Sequence, residues 1–134
     1  MAVKWKKTRL IDIFEYLPKS KHKAGDGLTQ GKYPFFTSSQ NQILWFDEAD
    51  YDREALIIGT GGKPSIHCAI NFSTSTDNFI ISPKDNKVVV KYVYFFLKKN
   101  ISILERGFKG AGLKHLSKDY LNKIELFFPV NDKG

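Results

Sequence analysis

The apolar positions of this chain change their spacing several times, and each change predicts a different element. Leu10, Ile13, Phe14 and Leu17 recur at helical intervals. That spacing predicts a short amphipathic helix over residues 5–17, capped by Thr8 and stopped by Pro18. Residues 19–30 set Gly25-Asp26-Gly27 among polar and basic side chains and read as a loop. Tyr33-Pro34-Phe35-Phe36 is a compact apolar run whose proline suits a strand start or an edge. The wholly polar residues 37–42 separate it from a second apolar run at residues 43–46.

Ala55-Leu56-Ile57-Ile58 leads into Gly59-Thr60-Gly61-Gly62, a buried strand entering a tight turn. Residues 65–72 alternate, with Ile66, Cys68, Ile70 and Phe72 facing one way and His67, Ala69 and Asn71 the other. Residues 73–77 read as a polar turn, and Phe79-Ile80-Ile81 as a strand ended by Pro83. Residues 88–99 fit a strand continuing into a helix; a helix from about Lys91 puts Tyr92, Phe95 and Phe96 at core spacing. Residues 107–114 are glycine-rich and basic, hence a loop. Ser117 caps one helical turn through Asn122, and residues 124–128 form a last strand closed by Pro129, before a frayed end at 131–134. Short strands mixed with two or three helices, without βαβ periodicity or repeat, predict an α+β fold in a single small domain.

Composition narrows the function. The chain has 134 residues, enough for one ordinary domain, and its eleven Phe, six Tyr and two Trp exclude a disordered tail. One Cys excludes a disulfide framework and a four-thiolate zinc site. The opening residues show no signal-peptide pattern and no run reaches membrane-span length, so a soluble, cytoplasmic domain is expected. The formal charge is +7, which suits nucleic acid and a merely solvated basic surface equally. Its distribution is more telling: net +5 over residues 1–34, −4 over 35–58, and +6 over 59–134. Such a basic–acidic–basic chain can turn one face toward phosphates and another away.

Catalytic chemistry is not visible. Gly61-Gly62-Lys63 and Gly31-Lys32 resemble phosphate loops, but Pro64 and Tyr33 stand where a Mg²⁺-binding hydroxyl is required. His67 and Cys68 point to opposite faces of a strand, which disfavours a nucleophile–base pair. His22, His67 and His115 are too scattered for a metal motif, and the acids of residues 47–54 lack a calcium-loop pattern. No metal, cofactor or catalysis is expected.

What remains is a set of polar loops: residues 19–32, 37–42 and 108–115. Asn and Gln present a donor beside an acceptor, the arrangement that reads adenine in the major groove, while Lys and Arg attract phosphates. Residues 37–42 lie between two apolar anchors, so the loop is expected to be held. Candidate base-facing residues are Ser39, Gln40 and Asn41. Candidate phosphate contacts are Lys21, Lys23, Lys32, Lys63, Lys109 and Lys114. Tyr33 and Phe35 are expected in the core. Gly61, Gly62 and Gly110 permit positive φ or close backbone approach, whereas Gly59 and Gly112 are expected only to shape turns.

These segments, in this order, carry a resemblance. Trp5, Ile13 and Gly31-Lys32-Tyr33-Pro34-Phe35-Phe36-Thr37-Ser38-Ser39 resemble the opening of a target recognition domain in the specificity (S) subunit of type I restriction-modification enzymes. Ala55-Leu56-Ile57-Ile58-Gly59-Thr60-Gly61-Gly62 is similar to that family's strand and glycine turn. Gly110-Ala111-Gly112-Leu113-Lys114-His115-Leu116-Ser117 and residues 124–129 resemble its closing segment. The resemblance implies a non-catalytic domain that reads one half of a bipartite double-stranded DNA target. It also implies methyltransferase and restriction subunits as partners in the full complex. The family's spacer helix is missing from residues 1–134, so this chain alone is expected to be monomeric. On the residues alone, an unrecognised small nuclease and a protein-interaction module remain open.

Overall fold

The computed structural model describes residues 4–61, 63–85, 88–108 and 115–130. The first segment corrects the expected helix. Strand β1 (Lys4–Arg9) is followed by a single helical turn, α1 (Leu10–Ile13), and by strand β2 (Phe14–Tyr16). β1 pairs antiparallel with β9 (Glu125–Val130), setting Thr8 opposite Leu126 and Trp5 opposite Pro129. The backbone N–H of Leu10 then reaches the Ile124 carbonyl at 2.8 Å. The apolar spacing correctly marked Leu10 and Phe14 as buried. It assigned them to one helix because the partner strand lies more than a hundred residues away, and distant pairing outweighs local propensity. The expected cap at Thr8 is replaced by Arg9.

The central sheet runs in the order β2-β8-β5-β6, where β5 is Ala55–Gly59, β6 is Ile66–Ala69 and β8 is Asn78–Pro83. All its pairings are antiparallel. Every residue of β5 is buried, because both faces of the sheet are covered. Leu56 and Ile58 join one core with Val93, Leu97 and Leu104, while Ala55 and Ile57 join a second with Phe36, Tyr51 and Phe72. A strand buried on both faces reads as a continuous apolar run, which is why β5 shows no alternation.

A second sheet has the order β4-β3-β7, from β3 (Tyr33–Phe36), β4 (Leu44–Phe46) and β7 (Ser73–Thr74). β3 is its middle strand, yet β7 reaches only Phe35 and Phe36. Pro34 therefore faces a partner strand on one side alone, where its missing N–H is tolerated. The expected polar turn at residues 73–77 is corrected: Ser73, Thr74 and Ser75 are fully buried. Ser73 Oγ donates to the Glu48 carbonyl at 2.7 Å and accepts the Asp50 N–H at 3.0 Å. A hydroxyl so satisfied is buried at little cost.

Two other expectations shift. β6 stops at Ala69 because Asn71 takes a left-handed φ of 58°, leaving Ile70 exposed while Phe72 turns in to stack on Tyr51. Helix α2 (Val90–Lys99) forms, but its buried face is Val90, Val93 and Leu97. Phe95 is 62% exposed, and Tyr92 and Phe96 sit on the flanks. The aliphatic stripe fits flat against the sheet where the larger rings do not. A third helix, α3 (Ser102–Gly107), was not anticipated. Helix α4 (Lys118–Asn122) begins as expected, with Ser117 Oγ accepting the Tyr120 N–H at 3.1 Å. β9 runs through Pro129 instead of ending before it. Among the described residues no helix is long and apolar enough to cross a membrane.

Candidate nucleic-acid interface

One end of the central sheet gathers residues 37–42 and the turn that follows β5. β5 ends, β6 and β8 begin, and β3 delivers residues 37–42 to the same place. Gly59 makes this possible. A Cβ there would lie 2.3 Å from Ser65 Oγ and 2.5 Å from Ser38 Oγ, so only glycine lets the three segments close up. Its role is therefore close approach and not turn shape alone. Neither Gly59 nor Gly61 takes a left-handed φ.

The loop after β3 is clamped along its length. Ser38 Oγ donates to the Gly61 carbonyl at 2.8 Å and accepts the Gly61 N–H at 3.2 Å. His67 Nε2 lies 2.7 Å from the Ser39 carbonyl, and Gln40 Nε2 donates to the Pro64 carbonyl at 3.1 Å. Because a carbonyl only accepts, the His67 tautomer carries its proton on Nε2. Burial lowers the His67 pKa, with Lys98 adding to the effect and the Ser39 hydrogen bond opposing it. The ring rests against Phe36 at 4.9 Å between centroids. On the other side of the turn, the Leu116 N–H meets the Thr60 carbonyl at 2.9 Å and His115 Nδ1 approaches it at 3.3 Å.

Ser39, Gln40, Asn41 and Lys63 are thus brought together, with Gln40, Asn41 and Lys63 exposed. Gln40 spends one amide hydrogen on Pro64 and keeps the other, together with Oε1, for a partner. Lys21 and Lys23 lie on either side of His22, which bridges to Ser75 in the segment leading into β8. The His22 carbonyl accepts the Thr76 N–H at 2.9 Å, and His22 Nε2 lies 2.8 Å from Asp50. A groove of about 540 Å³ beside them mixes Lys19 and Lys21 with Asp50, Asp52 and Arg53. Lys32 precedes β3, so the strand separates it from Ser39. Lys109 and Lys114, with Gly62, Gly110, Gly112 and residues 131–134, lie outside the described residues.

Residues 47–54 lead into β5, but Asp50 and Asp52 share the groove with Lys19 and Lys21 and Asp50 meets His22, so the charge separation seen along the chain is not kept intact in space. Sequence reasoning missed His67 and His115 as holders of these loops. Only the alternation that set His67 opposite Cys68 hinted at its direction. Cys68 itself is partly buried, and burial raises its thiol pKa. Among the described residues no group of three or more His, Cys, Asp or Glu is placed to hold a metal ion.

Fold and site together define a class: a small α+β domain that presents a clamped polar loop and basic groups at one end of a buried sheet. The comparisons make the family explicit. Type I restriction modification DNA specificity domains match residues 2–133, and the chain belongs to that family. A crystal structure of a type I restriction-modification S subunit from M. genitalium superimposes with a TM-score of 0.79 at 19% identity, over 98% of this chain and 36% of that one. A second similar chain comes from a structure describing complex assembly and conformational transition of the type I R-M system. It gives a TM-score of 0.64 at 13% identity, over 96% of this chain and 35% of that one. The chain therefore spans about a third of the length of these solved chains. No curated protein matches it.

Proposed function

We propose that residues 1–134 form one non-catalytic target recognition domain, binding double-stranded DNA and reading one half of a bipartite site. The work would be done within a type I complex alongside methyltransferase and restriction subunits. The observation that carries this reading is the loop of residues 38–41, pinned to residues 61–67 by four side-chain hydrogen bonds while Gln40 and Asn41 stay exposed. Readout needs side chains whose positions are set before the duplex arrives, because ordering them on binding would weaken the complex. Ser39, Gln40 and Asn41 face base edges. Lys63, Lys21, Lys23, Lys109 and Lys114 meet phosphates, and Lys32, at the far end of β3, adds long-range attraction.

The test is selection from a pool of random duplexes by the purified chain. Enrichment of one short sequence is expected. If about five basic groups meet phosphates, log affinity falls with log salt at a slope near −4 to −5. Equal retention of all duplexes defeats the reading, and cleavage of the pool makes the chain a nuclease.

A further inference from the structure

We infer that the duplex is held from both flanks of the reading loops, by Lys98 on one side and by Lys19 with Lys118 on the other, each flank taking a backbone phosphate. The inference rests on the DNA-reading role proposed above and adds a docking geometry to it. Lys98, on α2, lines a groove of about 270 Å³ together with Gln40, Pro64 and Ile101. Its Nζ donates to the Tyr94 hydroxyl at 3.0 Å and lies 5.3 Å from that ring's centroid. The ammonium is thus fixed beside the loop residue assigned to base reading.

The other flank is built where β2 ends and β8 begins. Lys19 Nζ sits 4.9 Å from the Phe79 ring and Lys118 Nζ 4.2 Å from the Tyr16 ring. The two rings meet edge to face at 5.8 Å, and both lysines line a groove of about 420 Å³. Seating an ammonium on a ring restricts its side chain while leaving N–H groups for a phosphate. Among the described residues, no carboxylate pairs with Lys19, Lys98 or Lys118. Burial, then the charge of Asp119, push the Tyr16 hydroxyl to about 12, so the phenol stays neutral and brings no repulsion of its own.

The spacing suits a duplex. In the order β2-β8-β5-β6, the Lys19–Lys118 groove lies at the β2 edge and Lys98 at the β6 edge, with Ser38 on the β5 turn between them. Three strand spacings make roughly 14 Å, close to the roughly 12 Å width of the major groove. A loop entering that groove would leave its bordering phosphates over the two lysine flanks.

The test compares Lys98→Gln, Lys19→Gln, Lys118→Gln and Lys98→Gln/Lys118→Gln with Lys99→Gln and Lys123→Gln, two exposed lysines outside the proposed clamp. The probes are random-sequence duplexes and the sequence enriched from them, titrated across salt. Each clamp variant is expected to weaken all duplexes alike and flatten the salt slope by about one unit, the double variant by about two. Sequence preference should stay unchanged, and Lys98→Arg should restore the slope. If clamp variants keep the full slope while Gln40→Ala still alters preference, the clamp alone is overturned. Equal losses at Lys99 and Lys123 also overturn it, since diffuse charge would then suffice. Failure of the unaltered chain to bind any duplex overturns the clamp and the DNA-reading role together.

Discussion

His67 Nε2 and the Ser39 carbonyl lie 2.7 Å apart, joining a strand of the central sheet to the loop that leaves the smaller one. This bond links stability to readout. His67→Phe keeps an aromatic ring against Phe36 and removes the donor. A loss of about 0.5–1.5 kcal/mol is expected, with weakened sequence preference and an unchanged salt slope. Thermal melting and selection from random duplexes measure the two effects.

The same histidine sets a pH dependence. Its folded pKa lies below the ordinary value of 6.5, so the unfolded chain takes up the proton more readily. Stability from this group is complete above pH 6.5 and declines as pH falls through 6.5 toward the lower folded value. In His67→Phe the decline should flatten across that window, as read by melting temperature against pH. An unchanged profile would assign the acid sensitivity to other groups.

Gly59 offers a sharper steric test. In Gly59→Ala the Ser38 and Ser65 hydroxyls can rotate away, but the Ser38 Cα would remain 3.1 Å from the new Cβ. Overpacking of this kind costs about 1–3 kcal/mol. Because Ser38 is displaced, reduced sequence preference should accompany the lower melting temperature.

Base reading and phosphate contact should separate in mutants. Gln40→Ala should relax preference at one or two base pairs, by about 1–3 kcal/mol of discrimination. Lys63→Ala should weaken all duplexes similarly and lower the salt slope by about one unit. The reverse pattern would exchange the two assignments.

The core anchor of the reading loop is Phe35 more than Tyr33. Phe35 is 1% exposed, whereas Tyr33 is only half-buried. Phe35→Ala should cost about 3–5 kcal/mol, and Tyr33→Ala distinctly less, by denaturant titration.

Much of this protein was legible in the residues alone. The continuous run of β5, the cap at Ser117 and the anchored polarity of residues 37–42 are local properties, fixed by side-chain chemistry within a few positions. The order of three motifs was enough to indicate the family. Pairing was not legible, because it depends on which distant segment arrives: β1 is a strand through β9, and buried Ser73 is tolerated through Glu48 and Asp50. Nor does the chain reveal neighbours at the site. Gln40 meets Pro64 and His67 meets Ser39 only after two sheets pack together. Sequence spacing determines which side chains can lie inside or outside; packing alone decides which of them face one another.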